Sequence, residues 1–184
     1  MTRLIQRSDV VDYQTYEDGR AEFRARILEI KRPRRIHFGD NLTFLFENRA
    51  TLTYQVQEIM RAERIARESA IVDEIDTYNL MLGGTGELGC ALLIEIPDEA
   101  DRKPLLQAWL GLQERIYVRL ADGSKVYARF DPMQVGTDRL SAVQYLRFAC
   151  PTPPVAIGTD FPALDGEVEL SHEQQAALAE DLRA

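Results

Sequence analysis

The chain has 184 residues, a formal net charge of −8, 45% apolar and 28% charged residues, two cysteines and two histidines. Such a chain can bury a core without disulfide or metal staples, and its acidic balance argues against general nucleic-acid binding, which relies on cations against phosphate. No run approaches the ~20 apolar residues of a membrane span and the start, MTRLIQRSDV, has no signal-peptide core, so the expectation is one soluble cytoplasmic domain over 1–184.

The first predicted element is a helix capped by Asp18 and beginning near Gly19, with Phe23, Ile27 and Ile30 on one apolar stripe. Pro33 ends it, because the residue before proline avoids the α region. The run RIHFGDNLTFLFE then reads as a hairpin, with Leu42, Phe44 and Phe46 on one face. From Asn48 or Thr51, each a good N-cap, to Leu82 the pattern is helical, as one kinked helix or two. Leu52, Val56, Ile59 and Ala66 share one face, and Ile71, Ile75, Tyr78 and Leu82 continue the period.

GGTGELG follows, then CALLIEI, whose continuous apolar character suits a central strand covered on both faces. A shorter helix comes next, started by Asp98 or by Pro104. Three strands are predicted in RIYVRL, KVYARF and SAVQYLRF, the first two joined through Asp122-Gly123. Residues 151–170 are proline-rich and read as irregular, with an edge strand at most around VAI. A capping box from Ser171 to Gln174 opens a final helix over 171–183. The fold class is α+β: a mostly antiparallel sheet of roughly five to seven strands with helices mainly on one face.

Gly84, Gly86 and Gly89 stand at the spacing of a dinucleotide fingerprint. That motif needs a strand before it and a helix N-terminus after it. Here a helix precedes and a strand follows, so the loop reads as a helix end and turn, with no nucleotide and at least one glycine at positive φ. The cysteines, Cys90 and Cys150, form no C-x-x-C pair, and with His37 and His172 they show no zinc spacing. Glu169 and His172 form a single E-x-x-H pair, whereas a di-iron bundle needs two such pairs inside helices. No metal or cofactor is expected.

Two surfaces stand out. Strand alternation places Tyr117, Arg119, Tyr127, Arg129, Tyr145 and Arg147 as a Tyr/Arg ladder, suited to a partner interface or to a solvated face. The second surface gathers Arg35, His37, Glu47, Arg49, Glu58 and Arg61, with Gln55, Glu63 and Arg67 nearby. Glu58–Arg61 and Glu63–Arg67 have the spacing of pairs along one helix. If the six converge, Glu47 or Glu58 could serve as a base and Arg35 or Arg49 as an anion holder. No nucleophile motif accompanies them.

The stretch EFRARILEIKRPRRIHFGDNLTFLFENRATLTYQVQEIMRAERI, with DEIDTYN, GELGCALLIEI and SAVQYLRF, resembles a bacterial domain-of-unknown-function family, numbered 3501. The likeness covers about residues 12–150. In the family the glycine loop is a Gly-x-Gly-Glu-Leu turn, matching Gly84, Gly86, Glu87 and Leu88 and leaving Gly89 outside the pattern. A His-Pro-aromatic ending is common in the family; here Phe161 precedes Pro162. The resemblance implies genes beside those of rubrerythrin and of an iron–sulfur protein similar to heterodisulfide reductase. The leading expectation is a non-catalytic accessory protein binding a rubrerythrin-like or iron–sulfur partner in a peroxide or iron–sulfur redox system. The alternatives are a small-molecule-binding protein or enzyme using the polar Arg/His/Glu pocket, and a structural homo-oligomer.

Overall fold

The computed structural model describes residues 4–132 and 136–183. Within them, five α-helices and eight strands divide into two antiparallel four-stranded sheets with helices around them, an α+β architecture. The elements are α1 (Tyr13–Lys31), β1 (Arg35–Phe38), β2 (Leu42–Glu47), α2 (Arg49–Glu63), α3 (Glu68–Asn79), β3 (Glu87–Ile94) and α4 (Glu99–Ala108). They continue as β4 (Ile116–Arg119), β5 (Lys125–Tyr127), β6 (Val143–Ala149), β7 (Ala156–Thr159), β8 (Gly166–Glu169) and α5 (His172–Arg183). The first sheet runs β1-β2-β3-β6 and the second β5-β4-β7-β8.

Helix α1 starts six residues earlier than its sequence pattern suggests. Asp12 caps it, accepting from the amides of Gln14 and Thr15 at 3.1 and 3.0 Å. The cap is worth about 1 kcal/mol, enough to offset what a single interior glycine costs, so Gly19 is carried inside the helix. The long helical pattern is two helices. Arg64, left-handed at φ 54°, closes α2, so Glu63 and Arg67 lie on opposite sides of a break and their pairing along one helix is lost. Helix α4 begins at Glu99 under an Asp98 cap and contains Pro104. The final capping box forms, with Ser171 N donating to Gln174 Oε1 at 2.8 Å.

The register of the first sheet sorts its residues onto two faces. Ile36, Phe44, Phe46, Leu88, Cys90, Leu92, Leu146 and Phe148 point one way, where they join Ile116, Val118 and Ile157 of the second sheet in one buried cluster. Arg35, Leu45, Glu47, Gly89, Ala91, Leu93, Val143 and Tyr145 point the other way, under α1, α2 and α3. Those helices hold a second cluster, with Leu52, Val56, Met60, Ile71 and Ile75 at its centre. Strand β2 is consequently buried at every position.

Strand β8 falls in a stretch that reads as irregular, and the strand expected at most as an edge around VAI is β7, which lies inside the second sheet between β4 and β8. Pro153 and Pro154 disguise it, but they sit just before the strand, where their missing N–H groups leave the ladder intact. Two side-chain amides tie the N-terminal segment to the helices. Asn79 clasps both backbone groups of Ile5 at 2.8 and 3.1 Å, and Gln57 does the same for Val11 at 2.7 and 3.1 Å. Arg34 pins α5: its guanidinium makes two hydrogen bonds to Asp181, at 2.8 and 2.9 Å, and both side chains are buried.

Candidate functional site

The glycine loop is a turn between α3 and β3, and Gly86 takes φ 73° in it. Gly89, the residue outside the family turn pattern, has a separate packing role. A Cβ there would collide with the carbonyl of Met81, so glycine lets the end of α3 pass against β3. Both cysteines are buried free thiols. Burial pushes Cys150 up to about 12 and Cys90 well above its ordinary value, so each stays protonated. Glu169 is engaged by Arg119, and His172 stands exposed at the start of α5. Among the described residues no group of three or more metal-ligating side chains is gathered, and no helix is long and apolar enough to cross a membrane.

The Tyr/Arg ladder is split between sheets. Tyr117 and Tyr127 pair across β4 and β5, ring centroids 5.7 Å apart, with Lys125 Nζ 3.8 Å from the Tyr117 ring. Arg119 binds Glu167 and Glu169, and Arg129 binds Glu87. Arg129 and Arg147 are joined through backbone bonds of 2.7 and 2.8 Å that link the two sheets. Tyr145 belongs to the first sheet and turns beneath the helices. The six residues therefore form no common face, because β6 pairs along its length with β3 and meets the end of the β4–β5 hairpin only at the Arg129–Arg147 bridge.

The second group also separates. Glu58 clamps α1 to α2: Tyr16 Oη donates to it at 2.6 Å and Arg20 at 2.8 and 2.9 Å, with Arg61 at 3.9 Å. The Arg20 hydrogen bonds hold its carboxyl below the usual range, which suits an ion-pair clamp and not a base. Arg61 also reaches Glu17 at 3.5 Å. Arg49 makes a 2.6 Å ion pair with Asp9 and secures the N-terminal segment. His37 is exposed on the first sheet, 2.9 Å from Thr43 Oγ1, which in turn donates to Glu95 at 2.6 Å.

Arg35 and Glu47 are the two that converge. They line a cavity of about 330 Å³ between the helix-facing side of the first sheet and the helices. Lys31 from the last turn of α1, Gln55 from α2 and Tyr78 from α3 enter from above. Leu45, Ala91, Leu93 and Val143 form the floor, with Tyr145 beside them. Glu47 is 7% exposed and its Oε2 has no hydrogen-bond partner. Lys31 is 9% exposed, its Nζ 5.1 Å from the Tyr54 ring centroid. Arg35 stands at the open side, exposed to solvent.

Burial governs the chemistry here. It raises the Glu47 carboxyl, against the opposing pull of Lys31, the neighbouring Thr51 hydroxyl and the arginines. Burial lowers the Lys31 ammonium, helped by Arg35 and opposed by Glu47 and Glu58. Burial also raises the phenols of Tyr78 and Tyr145, which therefore remain O–H donors. Lys31 was the residue sequence reasoning overlooked. It falls four positions after Ile27, so it continues the Phe23–Ile27 stripe as a cation on a buried face.

Fold and site together define a two-sheet α+β protein with a partly open cavity of mixed lining beneath a helical layer. The chain belongs to the family described as "Protein of unknown function (DUF3501)", whose model matches residues 4–182. It is similar to the crystal structure of a novel protein of unknown function from Burkholderia pseudomallei K96243, with a TM-score of 0.89 and 28% identity. The match covers 97% of this chain and 98% of that one. No curated protein matches the chain.

Proposed function

We propose that this protein binds a small molecule in the cavity between the first sheet and helices α1–α3. The observation that carries the reading is Glu47 Oε2, a buried acceptor without a donor in a space large enough for a ligand. Buried polar groups ordinarily find partners, and an unmet one beside a cavity is suited to a ligand's donor. The surroundings fit the usual makeup of such sites, apolar walls with a few converging polar groups. Lys31, Tyr78 and Gln55 supply donors from three helices, and Leu45, Ala91 and Leu93 supply the apolar floor.

The test fills the cavity. Ala91 is 6% exposed and lines the floor, so Ala91→Leu occupies the space at an overpacking cost of about 1–3 kcal/mol. A library of small polar metabolites is screened by saturation-transfer NMR against both proteins. Hits on the wild type that vanish on Ala91→Leu support the reading; the same hits on both overturn it.

The wider role we propose is that of a non-catalytic accessory to a rubrerythrin-like or iron–sulfur redox partner. What supports it is the family resemblance, together with the burial of both thiols, which leaves redox chemistry to a partner. Affinity purification of the chain with each partner tests it. Failure to form a complex with either one at micromolar concentration would remove this role and leave the cavity reading intact.

A further inference from the structure

We infer that the cavity takes a free α-amino acid, its carboxylate between Lys31 and Arg35, its ammonium on Glu47, and its side chain over Leu45, Ala91 and Leu93. This rests on the cavity being a ligand site and names the class of ligand. Two cations and one carboxyl line the same space, carried by α1, β1 and β2. A simple carboxylate would meet Lys31 and Arg35 well but would face Glu47. A simple amine would meet Glu47 but face two cations. A zwitterion with its charges on one carbon leaves neither contact repulsive, which is how charge placement discriminates between ligands.

Size and hydrogen bonding point the same way. A volume of about 330 Å³ lies at the lower end of ligand pockets, which span roughly 300–1,000 Å³, on the scale of an amino acid rather than a nucleotide. Glu47 Oε2 is the acceptor lacking a donor, and an ammonium supplies three. Tyr78 and Tyr145, both lining the cavity, can donate to the carboxylate.

The experiment screens the twenty standard L-amino acids one by one by saturation-transfer NMR. Calorimetry then compares the best binder with its analogues lacking only the ammonium or only the carboxylate. The proteins are the wild type, Glu47→Gln, Lys31→Met and Ala91→Leu, each checked for fold by its amide NMR spectrum. Each analogue should bind at least about tenfold more weakly than the amino acid, the loss of a charge-assisted hydrogen bond. Glu47→Gln should weaken the amino acid by about tenfold or more, while the ammonium-free analogue, relieved of the facing carboxylate, binds at least as tightly as it does to the wild type. Lys31→Met should weaken both. No amino acid binding below about 1 mM, or an ammonium-free analogue binding as tightly as the amino acid, would overturn the inference. If other metabolites still bind the wild type and not Ala91→Leu, only the ligand class falls. If no compound separates those two proteins, the cavity reading falls with it.

Discussion

The two faces of the β1-β2-β3-β6 sheet are built from the same strands and do opposite work. On the face toward the second sheet, Phe44, Phe46, Leu92 and Phe148 are wholly buried in an extended apolar cluster. On the face toward the helices, the same strands present Arg35, Glu47 and Tyr145 around a cavity, with Lys31 above them. Filling that second space with aliphatic side chains would have carried the helix cluster down onto the sheet. A protein that keeps buried charge and empty volume there gives up stability that ordinary packing offers, a pattern expected of functional sites. The difference teaches that burial alone does not separate structure from function in this fold; partner satisfaction does. Arg34 and Asp181 are as buried as Glu47, yet their hydrogen bonds meet each other, so they read as structure.

Substitutions can sharpen this contrast. The largest effect is expected on the apolar face: Phe148→Ala should lower unfolding free energy by about 3–5 kcal/mol, measured by denaturant titration. Breaking the satisfied pair comes next. Arg34→Ala should cost about 3–5 kcal/mol by leaving the buried Asp181 carboxylate without its counter-ion, held among the described residues only by the Asn48 amide. Arg34→Met with Asp181→Leu should recover much of that loss; failure of the double variant to recover would mean the pair does more than hold α5. Gly89→Ala should cost about 1–3 kcal/mol, because its Cβ displaces the Met81 backbone.

The smallest stability change belongs to Glu47→Gln, and its sign is the informative part. Burial raises the Glu47 carboxyl in the folded state. The folded protein therefore holds that proton more tightly than the unfolded chain does. Its contribution is most favourable below the ordinary glutamate range and is lost as pH rises through that range toward the raised value. Glu47→Gln removes this loss, so its melting temperature relative to wild type should climb as pH rises from about 4 to 7. A variant that instead becomes less stable than wild type over that climb would make Glu47 a structural ion-pair partner.

Much of the scaffold was legible in the sequence, for local reasons. The β1–β2 hairpin, the Asp122-Gly123 turn, the apolar β3 and the Ser171 capping box each carry their signal within a few residues. The division into two sheets was not, because period-2 alternation says which residues share a face and not which strand pairs with which. That is why Tyr145, alternating in step with Tyr117 and Tyr127, ends in another sheet. The site was half legible. Arg35 and Glu47 stood out as polar residues on apolar strands, and Gln55 as one of several polar residues on α2. Lys31 was hidden at a helix end, where a lysine is ordinarily read as complementing the dipole. Glu58 and Arg49 misled because charge density in sequence does not reveal that Arg20 and Asp9, distant along the chain, satisfy them.

The most direct measurement is the titration of the Glu47 side-chain carboxyl by carbon-detected NMR, in the free protein and with its ligand bound. The free carboxyl should titrate above the ordinary glutamate value and move down when an amino acid's ammonium engages it. A carboxyl that titrates at or below the ordinary value, and stays there when ligand is added, would show that Lys31 already satisfies it and that the cavity is packing rather than a site.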